Sequence, residues 1–401
     1  MRRHSNSQEP LSSEDLKYDA RALAIFISAV FGVDVPHELN VLIPHTNRPY
    51  QKGLEINNRR IRCIVKNWDS DFIRVDIDQD ADEEEYLVRL KDEENHIDHT
   101  YLWDILKEGM QLNLLDCQVK QPIITPRLIV VEPDYLVDIS SIATCFTAFG
   151  HHPLLYLLNQ MKPRANTQAT LLGNFAGAAL DDIINTNGKY QMNETIKTNF
   201  REKALEFCTC PWFDAKKFYT DANQQAFNLQ QVVDILFPRT ASQAQMSAFR
   251  GESLYDRKKA ILEPSFVCEA LGIQGRVDLM TTDCKLLVEQ KSGRNMNIET
   301  HQVDPAYHSY QLEPHYVQLL LYYGVLQHNF KLSNDRVNIR LLYSKYQPQD
   351  GLMVVAYYQK LFKEAIEYRN QLVAASFEIA KEGFEHALNE FTPDVLNVAG
   401  T

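Results

Sequence analysis

The sequence predicts an α/β protein with a β-rich N-terminal region, and three observations carry that reading. Short alternating and β-branched runs recur between Arg60 and Val131, helical patterning dominates from Ser140, and strand-like runs return at Lys258. With 401 residues, 45% of them hydrophobic and 10% aromatic, the chain can bury at least one large core.

Residues 1–14, rich in Ser, Asn, Gln and Glu, read as a disordered leader. The apolar segment Ala20–Val35 reads as a buried helix despite Arg21. No uncharged apolar run reaches the roughly 18 residues that cross a bilayer, and the polar start lacks the apolar core of a signal peptide. A cytoplasmic chain with no membrane partner is therefore the expectation. Strands are expected at Arg60–Lys66, Phe72–Ile77, Tyr86–Leu90, Leu112–Val119 and Arg127–Val131, in a small barrel-like region with Asp78–Glu85 as a solvated loop.

Ser140 or Ser141 is placed as the cap of a helix running through Ala148. Thr170–Ile184 is an amphipathic helix ending near Asn187-Gly188, and Asn193–Phe207 a further one. Strands follow at Lys258–Cys268, Gly275–Met280 and Lys285–Gln290, then a helix over Pro314–His328, a strand at Asn338–Tyr343 and a long helix over Met353–Leu388. The expected regions are 1–14, 15–126 and 127–401, the last with a helical insert at about 140–250.

The seven cysteines are scattered and odd in number, which argues against a disulfide framework; Cys208 and Cys210 form only a C-x-C, too little for tetrahedral zinc. The net charge of −12 is local. Asp69–Asp98 holds 13 acidic and 3 basic residues, whereas Leu271–Lys345 holds 7 acidic and 8 basic. Global acidity thus leaves DNA binding open while opposing tight, salt-driven binding by the chain alone.

The chemistry concentrates in a predicted hairpin. Gly275-Arg276-Val277-Asp278-Leu279-Met280 is followed, after a polar turn, by Lys285-Leu286-Leu287-Val288-Glu289-Gln290-Lys291-Ser292-Gly293. The strand period puts Glu289 and Lys291 on one face, and Asp278 can converge on them from the neighbouring strand. Two buried carboxylates repel each other unless a cation joins them. Asp278, Glu289 and the Gln290 carbonyl are hard oxygen donors of the kind Mg²⁺ or Mn²⁺ prefers, and phosphodiester hydrolysis is the reaction they suit, with Lys291 positioning a metal-bound water or stabilising developing charge. Downstream, His315, Gln318 and Tyr322 form one polar stripe on an apolar helix.

The order Gly-Arg-Val-Asp278, Val-Glu289-Gln-Lys291-Ser-Gly, then Gln318-Leu-Leu-Leu-Tyr322 resembles the RecB-like branch of the PD-(D/E)XK nucleases. Arg127–Ala143 is similar to the run ahead of the nuclease core in the replication nuclease-helicases, and Glu263 matches an acidic position there; CRISPR-associated RecB-like exonucleases share the pattern. The resemblance covers residues 127–345 and implies a restriction-endonuclease-like core, a mixed central sheet flanked by helices, in 127–401. It implies a deoxyribonuclease acting on single-stranded or flapped DNA in replication or repair, with Gln318, Tyr322, Arg276 and His315 near DNA and a helicase motor fused or separate. Two departures stand out. Where relatives place a histidine ligand four residues after the glycine of their first helix motif, Gly173 is followed by Gly177, leaving Asp181 to reach the metal through water. Relatives also bind an iron–sulfur cluster through three late cysteines, but none follows Cys284, so no cluster is expected. The alternative is a weakened nuclease-fold module that holds DNA for a helicase.

Overall fold

Strand β1 (Arg60–Trp68) buries Ile61, Cys63 and Val65 in alternation, the pattern of a strand with one face on a core. It pairs antiparallel with β2 (Phe72–Ile77), which pairs with β3 (Tyr86–Arg89). A small ladder, β4 (Lys91–Asp92) with β5 (Ile97–Asp98), precedes β6 (Gln111–Leu115), β7 (Gln118–Lys120), β8 (Ile123–Thr125) and β9 (Leu128–Val131). Seven of these form one sheet in the order β7-β8-β3-β2-β1-β6-β9. The expected barrel does not close: among the described residues β7 and β9 each pair with one neighbour. The strand expected over Leu112–Val119 breaks at Asp116, whose φ is +50°.

The computed structural model describes residues 12–46, 59–77, 85–163, 165–186, 189–332 and 337–389, with 391, 392, 395 and 397. Most of the expected leader and acidic loop lies outside them. The chain divides into two units, Met1–Ile56 with Gln79–Glu83, and Asn57–Asp78 with Glu84–Thr401.

The first unit contains α1 (Ser13–Phe31) and α2 (His37–Asn40), and Arg21 of α1 donates to the carbonyl of Pro44, in the turn after α2, at 3.0 Å. The buried helix expected over Ala20–Val35 is corrected here. It starts at Ser13, and Leu23, Phe26, Ile27, Val30 and Phe31 are exposed while Ala24 is buried. Apolar residues surround the helix, and among the described residues of this unit only the short α2 and the turn after it follow α1.

In the second unit, β10 (Val137–Asp138) leads into α3 (Ile139–Ala143), capped from Asp138 without a side-chain bond. Ser140 and Ser141 therefore lie inside a short helix, and the Ala148 region is a hairpin of β11 (Phe146–Thr147) and β12 (Gly150–His151). The insert comprises α4 (Leu154–Met161), α5 (Gln168–Asn185), α6 (Met192–Glu202), α7 (Ala204–Cys208), α8 (Ala215–Leu236) and α9 (Ala241–Phe249).

The central sheet follows. β13 (Ala260–Leu262) and β14 (Ser265–Cys268) split the strand expected over Lys258–Cys268, because Glu263 takes a φ of +48° ahead of Pro264. β15 (Ile273–Arg276) and β16 (Leu279–Thr281) likewise join different sheets. β17 (Leu286–Lys291), α10 (Met296–Thr300), α11 (Glu313–Phe330), β18 (Asn338–Tyr343), α12 (Pro348–Gly351), β19 (Leu352–Val354), α13 (Gln359–Glu382) and α14 (Phe384–Leu388) complete the order. The long helix expected from Met353 starts at Gln359, since Leu352–Val354 is taken up as an edge strand paired with β18.

The five-stranded sheet runs β13-β16-β17-β18-β19, mixed because β17 and β18 are parallel while its other pairs are antiparallel. Its two faces enter two cores. Leu287 and Leu341 pack with Tyr316, Leu320 and Tyr323 of α11 and with Phe362 and Ile366 of α13. Leu286, Val288 and Leu342 pack with Phe175 and Leu180 of α5 and with Leu229 and Val233 of α8. Helices thus cover both faces, the arrangement a parallel central pair requires. Arg369 fastens α13 to the chain around β9 and β15: fully buried, it donates to the carbonyls of Val131, Glu132, Tyr135 and Gly272.

Candidate active site

The predicted hairpin forms, with Leu279 opposite Val288 and Met280 opposite Leu287. Asp278 precedes β16, and its Oδ2 accepts from the Gln290 N–H at 2.6 Å, which draws its carboxyl to the C-terminal end of β17. Alternation along β17 puts Leu287, Glu289 and Lys291 on the α11 side and Val288 and Gln290 on the insert side.

Glu289 is 3% exposed. Its Oε1 accepts from Lys291 Nζ at 2.8 Å, while Oε2 is buried with no hydrogen-bond partner. Burial, then the Asp278 charge, pushes its carboxyl up to about 8, against the pull of Lys291. Burial also raises Asp278, opposed by the Gln290 N–H and by Lys291. Lys291 donates a second bond to Gln318 Oε1 at 2.8 Å, so the ammonium is fixed between strand and helix.

Tyr322 is buried, and its hydroxyl donates to the Arg276 carbonyl at 2.6 Å. The Arg276 side chain turns outward to Glu263 at 3.0 Å. His315 Nδ1 lies 3.0 Å from the Tyr343 hydroxyl; burial, then Lys291, pushes this imidazole down to about 4, so it is neutral near pH 7. Gly173 of α5 faces the same end of β17, since a Cβ there would stand 3.1 Å from Ser292 Oγ, while a Cβ on Gly177 would meet nothing within 4 Å. Burial first, then the Glu263 and Asp278 carboxylates, pushes Asp181 up to about 7, which sets it in the same negative field.

Sequence reasoning missed a brace beneath β17. Gln290 Nε2 donates to Ser344 Oγ at 2.7 Å, Ser344 Oγ donates to Gln225 Oε1 at 2.6 Å, and Gln225 Nε2 donates to the Ser292 carbonyl at 3.1 Å. Asn228 Nδ2 donates to the Ser344 carbonyl at 2.9 Å. The available signal was Gln225 and Asn228 set among Ala222, Ala226 and Leu229 on the buried face of an amphipathic helix, where a polar side chain requires a partner.

Among the described residues, no three His, Cys, Asp or Glu side chains group so as to hold a metal ion by themselves. The hairpin offers two carboxylates, one with an unpartnered buried oxygen, beside main-chain carbonyls. That donor set fits a small hard cation and not a soft one.

The chain matches no protein-family model and no curated protein. The class that fold and site define is a coarse one: an α/β protein whose mixed sheet, covered by helices on both faces, is consistent with a restriction-endonuclease-like, nuclease-type core. Among the described residues, no helix is long and apolar enough to cross a membrane.

Proposed function

We propose that this protein is a divalent-metal-dependent deoxyribonuclease that hydrolyses phosphodiester bonds in single-stranded or flapped DNA. One observation carries the reading: the buried Asp278–Glu289 pair, with the unpartnered Glu289 Oε2 and with Lys291 beside it. Asp278, Glu289 and the Gln290 carbonyl would hold Mg²⁺ or Mn²⁺, with Asp181 contributing through water. The ion, when bound, supplies a Lewis acid that lowers the pKa of a bound water. The Gln290 N–H orients Asp278, and Gln318 with Glu289 keeps Lys291 where negative charge on a phosphate oxygen develops. Tyr322 fixes the Arg276 main chain, leaving the Arg276 side chain free to engage a phosphate once it leaves Glu263. A helicase motor, fused or separate, would supply the strand, and no iron–sulfur cluster takes part.

End-labelled single-stranded, duplex and flapped DNA with Mg²⁺ or Mn²⁺ tests this. Cleavage that requires the ion and disappears in Glu289→Gln supports it; metal-independent cleavage, or full activity in Glu289→Gln, overturns it. A second reading, a DNA-holding module of weakened activity, is favoured by the open space at Gly177. Tight DNA binding without cleavage under any divalent ion would select it.

A further inference from the structure

We infer that Trp212 is a stacking platform for a base of single-stranded DNA, with Lys216 and Lys217 holding the adjacent phosphates. This rests on the reading of the chain as a DNA-acting protein and adds a site in the helical insert.

Trp212 is 99% exposed, and its backbone is left-handed, with φ of +58°. For a bulky residue that conformation is costly, and full exposure forgoes the burial of a large apolar ring. A loose loop would relax on both counts. This loop is anchored on either side: Cys210 is buried, and Phe213 packs between Phe207 and Phe218, with ring centroids 5.4 and 5.5 Å away. Asn166 donates to Thr209 Oγ1 at 2.7 Å, and the Asp214 N–H donates to Gln168 Oε1 at 2.9 Å. The indole is therefore presented to solvent by a fixed frame.

Lys216 and Lys217 stand in the first turn of α8, the end at which the helix dipole disfavours cations, and both are exposed. Among the described residues neither forms an ion pair. Of the nearest acids in sequence, Asp214 caps the helix through the Lys217 N–H at 3.0 Å, and Asp221, one turn further along α8, forms no ion pair with either lysine. An exposed aromatic ring, four and five residues from two cations that form no ion pair among the described residues, suits a ligand with a flat π surface and a neighbouring negative charge. Single-stranded nucleic acid has both, whereas an intact duplex keeps its base faces stacked, and an apolar protein surface would leave the lysines without a role.

The placement agrees. Gln168, which anchors the Trp212 loop, begins the same helix whose Gly173 faces Ser292 next to Lys291. Those five helical residues, Gln168 to Gly173, span about 7.5 Å along the axis.

The test is anisotropy of a fluorescein-labelled oligo-dT with the full chain in EDTA, so that binding is read without cleavage. Trp212→Ala should weaken binding roughly 5- to 150-fold, the equivalent of about 1–3 kcal/mol of stacking, and Trp212→Phe should lose much less. Lys216→Gln with Lys217→Gln should lower the salt slope by about 1.4, near 0.7 per phosphate contact. In a Trp68→Phe/Trp103→Phe background, the remaining Trp212 emission should be quenched by the oligonucleotide, which tests the contact even if Trp212→Ala unfolds. Unchanged affinity in folded Trp212→Ala, unquenched emission, no binding of oligo-dT, or an effect of Trp212→Ala on self-association alone would each overturn the inference. Trp212-dependent binding in a chain that never cleaves sinks the nuclease reading and leaves this one standing.

Discussion

Gly275 faces the Tyr322 ring so closely that a Cβ there would stand 2.9 Å from Cε1 and 3.0 Å from the hydroxyl oxygen. The pair links the strand before Asp278 to the helix carrying Gln318, and the hydroxyl bond to Arg276 locks it. Gly275→Ala should force the ring aside and cost about 1–3 kcal/mol. A melting temperature equal to that of the parent protein would contradict the contact.

The motif groups should behave as a unit in catalysis. Asp278→Ala and Glu289→Ala are expected to remove nearly all cleavage, and Lys291→Ala to lower it about 100- to 1000-fold, each with an unchanged circular dichroism spectrum. Gln318→Ala should fall less at saturating DNA, because Glu289 still holds Lys291. Retention of activity in any two of the first three variants would refute the site.

The space beside Gly177 predicts a gain. A Cβ there meets nothing within 4 Å, and a histidine would bring an imidazole to the face that carries Gly173 and Asp181. Gly177→His should tighten Mn²⁺ binding in calorimetric titration, and Asp181→Ala should weaken it. Indifference of the titration to both changes would separate α5 from the metal.

His151 binds two carboxylates at once, Glu313 at 2.5 Å through Nε2 and Glu364 at 2.7 Å through Nδ1. These bonds, first that to Glu313, push the imidazole up to about 9 from 6.5. The folded value lies above the unfolded one, so the stabilisation is complete below about pH 6.5 and fades as pH rises through about 9. His151→Gln should cost about 1–2 kcal/mol at pH 6, allowing for partial exposure, and much less at pH 10. Urea unfolding at the two pH values measures this; a pH-independent difference would count against the clamp.

Arg369 is fully buried. Arg369→Ala strips bonds from four carbonyls and from the Asn370 side chain, and should destabilise the chain by about 3–5 kcal/mol. Soluble protein that melts within about 2 °C of the parent would show that the staple is dispensable.

Period-2 and period-3.6 patterning made the β-rich region, the insert helices and the Asp278–Lys291 hairpin legible, because alternation and stripe are local consequences of backbone geometry. Boundaries failed where one residue changes direction, as at Asp116 and Glu263, whose left-handed backbones no apolar pattern marks. The exposure of α1 escaped the sequence for a related reason: hydrophobicity tells what a segment prefers, not which of its faces the fold covers.

By itself, then, the sequence determined the α/β class and the gathering of two carboxylates and a lysine on one hairpin, since a strand's period decides which of its side chains share a face. The tertiary structure alone decided that Glu289 keeps an unpartnered oxygen, that Gln225 and Ser344 brace β17 from beneath, and that Trp212 stands in solvent on a left-handed backbone. The bonds of that brace join residues tens of positions apart. They arise only when burial and hydrogen bonding are satisfied across packed layers, and no local pattern encodes them.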